Sequence, residues 1–353
     1  MQKIAILFGG RSSEHEISRI SAHSLARQID PARYDLVLIG INRAGEWFRY
    51  AGPLDKILDG SWEQDASCRP ALLSPSPALH GFWEWRDETW RPVPLDAVLP
   101  LLHGKNGEDG SVQGLLQLAG IPYIGADVLG SAICMDKDIA HTLAATAGLE
   151  VPLSTTALQG EDLATIAGRT EGFRYPLFVK PARGGSSLGI SMIQAKEELA
   201  AALQTAWEHD RKAVIEQAVD GMEVCCAILE TADGLLTGEI AAVQLGKTWL
   251  SYEEKYGNTS ATFHVPAPIA PQTAAQVKRA GVRVFHALQC QGFARADFFL
   301  TPEGHLVFNE LNNIPGLGPR SLFIKMMQAA GYSFPEIIDL LMKQVKQYET
   351  TFS

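Results

Sequence analysis

Residues 3 to 8, KIAILF, are an apolar run that stops at Gly9-Gly10. A run of this length without alternation reads as a strand buried on both faces of a parallel sheet. The spacing then becomes helical. Ile17, Ile20, Ser21 and Leu25 make a stripe, and Ser13-x-x-Glu16 ahead of it matches a capping box. Tyr34 to Ile41 and DAVLPLL at 96–102 predict two more strands. A helix over 112–118 and a strand near IPYIGA close a first domain. Strands alternating with helices predict an α/β fold with an N-terminal doubly wound parallel sheet. Residues 46–94 break the pattern. They hold five of the seven tryptophans, several prolines and no clean period, and read as an irregular insertion whose tryptophans pack.

Beyond residue 125 the pattern changes. A helix carrying MDKDIAHTLAATAG runs to Gly148. YPLFVKPARGGSSLGISMI places two strand-like runs around a glycine–serine loop, the pattern of a hairpin. A helix over 197–208, the strands AVIEQAV and EVCCAIL, and a long helix over 274–288 follow. Boundaries near 125 and 215 divide the chain into 1–125, 126–215 and 216–353, the last two as mixed α+β domains.

Composition changes this picture little. The 353 residues are 46% hydrophobic and 20% charged, as expected of a folded chain with several cores. A formal charge of −10 argues against nucleic acid or an anionic membrane as the main partner, while leaving room for a local basic phosphate site. The five cysteines are odd in number, scattered and without a CxxC, which predicts reduced thiols. There is no signal-like segment and no apolar run of about 18 residues, so the expectation is a cytoplasmic protein.

Candidate chemistry begins with two decoys. GKT at 246–248 resembles the end of a P-loop, but Ala241 stands where its first glycine must be. GSSLG at 185–189 matches the nucleophile elbow around Ser187, and Asp297 and His305 follow in triad order. The elbow needs a helix after the turn, and LGISMI reads as a strand. A serine hydrolase is therefore a competing reading, as is a nucleotide-binding protein without catalysis. Lys180 and Gly184-Gly185-Ser186-Ser187 offer a cation and flexible backbone N–H donors to a phosphate, or else a polar hairpin tip. Glu216, with Glu223 seven residues on, could meet a base edge and a ribose diol. Asp297 in RADFFL and Glu310-x-Asn312 in VFNELN end apolar strand runs. Three such oxygen donors suit magnesium, or are surface acids at strand ends. Arg295, two residues before Asp297, faces the same side and could balance an oxyanion or a substrate carboxylate.

The order HGKNGEDG, MDKD, KPARGGSSLG, IEQ…E, YEEKY, RAD and NELNNIPG resembles the ATP-grasp enzymes and, within them, the D-alanine–D-alanine ligases. The likeness runs from GGRSSEHEIS to the last helix. It implies three domains, with ATP held between the two mixed α+β domains, and ATP-dependent joining of two D-alanines for peptidoglycan precursors. It implies that Lys137, Lys180, Ser187, Lys255 and Asn309 hold ATP. Glu216, Gln217 and Val219 would line its adenine, and Glu223 would take the ribose. Asp297, Glu310 and Asn312 would bind two Mg²⁺ ions, or Mn²⁺. Glu14 would grip the first D-alanine, with His103 nearby, and Ser321 the carboxylate of the second. Arg295 and the Gly316 N–H would stabilise the tetrahedral intermediate. Glu14, Ser186 and Tyr256 would tie the mobile loops together, with 246–262 closing over the site. A homodimer is also implied.

The chain departs from the family pattern at Asn313, at Pro319-Arg320-Ser321 where Ser-His-Ser is usual, and at Gly184 where a glutamate is usual. Tyr256 is the residue of amide-forming members. INRAGEWFRY and the long insertion resemble ligases that join D-alanine to D-serine, which makes a D-alanine–D-serine ligase the alternative.

Overall fold

The structure, a computed structural model, describes residues 1–244 and 262–344. The described residues build three sheets. The first has seven strands. Gln2–Gly9 lies at the heart of its parallel part, between Tyr34–Ile41 and Ala97–Pro100. The expected strand near IPYIGA reduces to a single bridge between Tyr123 and Val98. Residues 46–94 are not irregular. Trp47–Tyr50, Arg69–Leu73, Gly81–Arg86 and Thr89–Pro94 extend the sheet as an antiparallel meander. Its strands are short, and Pro70, Pro92 and Pro94 interrupt their alternation, which hid them from a periodicity reading.

Trp62 in this segment is fully buried and meets Phe8, Phe48 and Tyr50 edge-on, with ring centroids 4.9 to 6.3 Å apart. It also fills the space a side chain at Gly40 would need, since a Cβ there would lie 2.4 Å from the indole. The segment is thus anchored to the core of the parallel strands. Trp62→Ala should cost about 3–5 kcal/mol in chemical denaturation. A loss below about 1 kcal/mol would mean that the meander does not share this core.

The first helix, His15–Ala26, corrects another expectation. Glu14 is its N-cap, with no side-chain cap bond, so the Ser13–Glu16 box does not form. Glu16 instead pairs with Arg43. A capping box does close at Ser333 and Glu336, ahead of the helix Phe334–Lys343. Ser18 ties the first helix to the sheet by accepting from Gly9 N–H at 2.8 Å and donating to the Leu101 carbonyl.

The second sheet is antiparallel, in the order Ser191–Ile193, Leu177–Pro181, Lys212–Gln217, Ser154–Leu158. The expected hairpin around the glycine–serine loop is its first pair. The helices Leu163–Arg169 and Leu199–Trp207 cover one face, with Leu203 and Ile166 in the core. The expected helix over 135–148 is Lys137–Thr146, and a separate helix, Val128–Met135, precedes it. Asp136 interrupts them and caps the second through Ile139 N–H.

The third sheet has six strands, all paired antiparallel. Met222–Thr231 and Phe293–Leu300 lie inside it, and Leu306–Asn312 forms one edge. The helix Pro271–Ala287 packs on one face through Val277, Val284 and Phe285. The opposite face meets the helices Leu322–Ala329 and Phe334–Lys343 and the core of the first sheet. Among the described residues no helix is long and apolar enough to cross a membrane.

Candidate active site

Side chains two apart on a strand leave the same face, and residues directly opposite on neighbouring strands share it. Asp297 lies opposite Glu310, and Arg295 opposite Asn312, so the sequence-predicted metal donors and the arginine share one sheet face. A register shift between Asp297 and Phe298 marks a bulge beside them. Asp297 is 1% exposed and takes a fork from Arg295: Nε donates at 2.7 and 3.1 Å and Nη2 at 2.6 Å. Burial alone would lower the arginine pKa. The charge and hydrogen bonds of Asp297 outweigh it and hold the guanidinium well above its usual range. Asn312 Oδ1 accepts from Ile314 N–H at 3.2 Å, which fixes its amide. Every donor in this set is oxygen, which suits a hard divalent cation.

The expected phosphate cations converge on the same place. Lys137 opens its helix, and its Nζ donates to the Gly184 carbonyl at 2.8 Å and lies 3.7 Å from Glu310 Oε2. One ammonium thus touches both the glycine–serine loop and the metal donors. Lys180 pairs with Glu216 at 2.6 Å, and both side chains are buried. His141, four residues after Lys137 and so on the same helix face, completes this wall and was missed in the sequence. Its Nε2 bonds the Asn309 carbonyl at 2.7 Å, and its Nδ1 lies 3.6 Å from Glu216 Oε1. Burial lowers the His141 pKa and Glu216 only partly offsets it. Among the described residues neither His141 Nδ1 nor Glu216 Oε1 has a hydrogen-bond partner. The two atoms face each other across that 3.6 Å, a buried polar pair without a hydrogen bond between them.

Glu14 brings the first sheet to this wall. A Cβ at Gly185 would stand 2.7 Å from Glu14 Oε2, and one at Gly104 would stand 2.6 Å from it. Only glycine lets the loop and the carboxylate approach this closely. Ser186 and Ser187 beyond it have φ of +54° and +58°. This left-handed backbone costs L-residues roughly 1–2 kcal/mol each and is held where the surroundings enforce it. His103 is clamped between Ser21 Oγ, 3.1 Å from Nε2, and Glu108 Oε1, 3.4 Å from Nδ1. Burial alone would lower the His103 pKa; the hydrogen bond and charge of Glu108, with Glu14, raise it. Asn313 donates to the Glu108 carbonyl at 3.2 Å and to Ser131 Oγ at 3.1 Å, and so braces the same corner. Glu108 and Asn313 lie within quoted motifs and Ser21 within the helical stripe, but their contacts at this corner were not legible.

Gly316 lies beside Ser321 and Ser21, whose nearest atoms are 3.7 and 3.8 Å from where its Cβ would be. Ser321 is the N-cap of Leu322–Ala329 and accepts from Ile324 N–H at 3.4 Å. Free N–H groups of that first turn point beside it, a setting suited to a carboxylate. Arg320 is exposed.

Some expected residues do not converge through their side chains. Gln217 Oε1 accepts from Arg174 N–H at 2.9 Å, so it holds a turn. Glu223, by contrast, does converge: it lies on the metal-donor face, with a carboxylate oxygen within 4.8 Å of ligand atoms of Cys225 and Asp297. Val219 is half-buried just past its strand. Lys255, Tyr256 and nearly all of the 246–262 loop lie outside the described residues. The hydrolase reading fails. Ser187 is followed by the strand Ser191–Ile193, Asp297 is held by Arg295, and His305 is exposed and bonded to Glu150 at 3.0 Å.

Known proteins bear on this arrangement. Residues 3–126 match the family model described as D-ala D-ala ligase N-terminus, and 144–343 match D-ala D-ala ligase C-terminus. A Streptomyces coelicolor protein provisionally named D-alanine–D-lactate ligase is 41% identical over 96% of this chain and 95% of its own. A Thermoanaerobacter D-alanine–D-alanine ligase is 38% identical over 96% of this chain and 95% of its own. The solved VanG D-Ala:D-Ser ligase of Enterococcus faecalis is 41% identical, with a TM-score of 0.91 over 98% of this chain and 99% of that one. The three names carry three different acceptors on one framework. With matched N- and C-terminal models and relatives aligned over nearly its whole length, the chain belongs to the D-alanine–D-alanine ligase family.

Proposed function

We propose that this protein is an ATP-dependent D-alanine–D-alanine ligase acting through a D-alanyl phosphate. The reading takes 1–125, 126–215 and 216–353 as its three domains. The observation that carries it is the Lys137 ammonium, 2.8 Å from the Gly184 carbonyl and 3.7 Å from Glu310. A triphosphate laid along the glycine–serine loop then meets the oxygen donors at its far end.

A carboxylate is a poor electrophile. In the proposed reaction the first D-alanine attacks the γ-phosphorus of ATP, ADP leaves, and the acyl phosphate carries a good leaving group. The amine of the second D-alanine then attacks the acyl carbon and phosphate departs. Lys137 and Lys180 hold the phosphates, with the backbone N–H groups of 184–187 folded against them. The adenine edge meets the His141–Glu216 wall. Glu14 pairs with the ammonium of the first substrate. Ser321 and the helix turn behind it take the carboxylate of the second. Arg295 and the Gly316 N–H face the oxyanion of the tetrahedral intermediate. Asp297, Glu310 and Asn312 would hold Mg²⁺ or Mn²⁺, which neutralises charge on the transferring phosphoryl group. The same reading makes the protein a cytoplasmic, homodimeric enzyme of peptidoglycan precursor synthesis.

D-Serine as acceptor is the second reading. It is supported by the likeness to VanG and by Pro319-Arg320 beside the acceptor turn. ATP, Mg²⁺ and D-alanine alone should yield ADP, phosphate and the D-alanine dipeptide. Phosphate release that begins only when D-serine is added would transfer the reading to the D-serine ligase.

A further inference from the structure

One group on the active face has no part in the reaction above. Cys225 follows Glu223 by two residues on Met222–Thr231 and stands directly opposite Asp297 in the antiparallel register. All three side chains therefore leave one sheet face. One ligand atom from each of Glu223, Cys225 and Asp297 lies within 4.8 Å of the others. The thiol and Asp297 are each 1% exposed, while Glu223 is half-buried at the mouth of the group.

We propose that Glu223, Cys225 and Asp297 form a binding site for a thiophilic divalent cation of the zinc and cadmium class, sharing Asp297 with the oxygen-only metal site. The donor set decides the class. Magnesium takes oxygen ligands and leaves thiols alone, while zinc binds sulfur at about 2.3 Å and carboxylate oxygen at about 2.0 Å in a tetrahedron. Those bond lengths place neighbouring ligand atoms about 3.3–3.5 Å apart. Reaching this from the present spacing requires one Asp297 oxygen to turn out of the Arg295 fork. A water can fill the fourth position from the Glu223 side. The free group is a thiol buried on this sheet face. Binding replaces its S–H bond with an S–metal bond and releases the proton to solvent, as for any coordinated thiol. A soft cation seated there engages Asp297, and so should compete with the hard cation that Asp297 shares with Glu310 and Asn312. The site itself does not rest on the ligase reading; only the resulting inhibition does.

The test uses the full-length protein, freed of metal by a chelator and titrated with Cd²⁺, while the ultraviolet thiolate-to-cadmium charge-transfer band is recorded. The wild type should saturate near one equivalent. Cys225→Ala should lose the band, and Cys225→Ser should lose it while keeping a side chain of similar size. Asp297→Asn should weaken binding by roughly tenfold or more. Circular dichroism checks that each variant is folded. A band of wild-type strength in folded Cys225→Ala would overturn the site, because it would place the cadmium on Cys68, Cys134, Cys226 or Cys290. No band in the wild type would overturn it as well. A band in a protein that makes no dipeptide would support the site and count only against the ligase reading.

Discussion

Glu310→Gln should lower kcat/KM for ADP formation by roughly 10²–10³-fold, the scale of losing one preorganised charge-stabilising group. Glutamine keeps the size of the side chain and its place opposite Asp297 on the sheet edge. It loses the charge a hard cation needs, and with it the carboxylate 3.7 Å from Lys137 Nζ. The substituted edge strand should still fold, since the Glu310 side chain is 31% exposed. A raised Mg²⁺ requirement at unchanged melting temperature is the specific signature. Turnover within a few-fold of wild type would remove Glu310 from the metal site.

Arg295→Met should do two things at once. It deletes the cation facing the proposed oxyanion, and it leaves Asp297, 1% exposed, without its fork of donors. Removing one partner of a buried pair costs about 3–5 kcal/mol because a charge is left uncompensated. Denaturation should therefore show a loss of that order in metal-free protein. Added Mg²⁺ should restore part of it, because a cation at Asp297 takes over the counter-charge. Activity should stay low with or without that rescue. A metal-free loss under about 1 kcal/mol, or no Mg²⁺ response, would contradict the shared position of Arg295 and the metal at Asp297.

The chemistry of this face was legible because it sits on strands. RAD lies inside Phe293–Leu300 and NELN ends Leu306–Asn312; each puts polar residues two apart, and a period of two assigns them to one side without any tertiary information. The glycine–serine hairpin was legible for a similar reason, since both flanking runs are short and apolar. What stayed hidden depends on contacts distant in sequence. His141 has only its i+4 relation to Lys137, and its role appears when Glu216 and Asn309 arrive from other strands. Ser21 braces His103 from 82 residues away, and Asn313 braces Glu108 from 205 residues away, which no local pattern encodes. Cys225 reads as a small core residue until its register with Asp297 is known. The meander of 46–94 was misread because its strands owe their stability to the sheet they extend and to Trp62, not to their own alternation. The capping box at Ser13 failed because Glu16 finds Arg43, a partner the motif cannot anticipate.

The acceptor is where the framework leaves most freedom. Relatives named for D-alanine, D-serine and D-lactate match this chain at similar identity, and Pro319-Arg320 beside Ser321 are among the expected departures from the family pattern. The most direct test gives the purified protein ATP and Mg²⁺ with D-alanine, D-serine and D-lactate at equal concentration, and identifies the products by mass spectrometry. The account predicts ADP, phosphate and D-alanyl-D-alanine as the dominant product. A dominant D-alanyl-D-serine or D-alanyl-D-lactate product, or no ATP turnover with D-alanine alone, would contradict it.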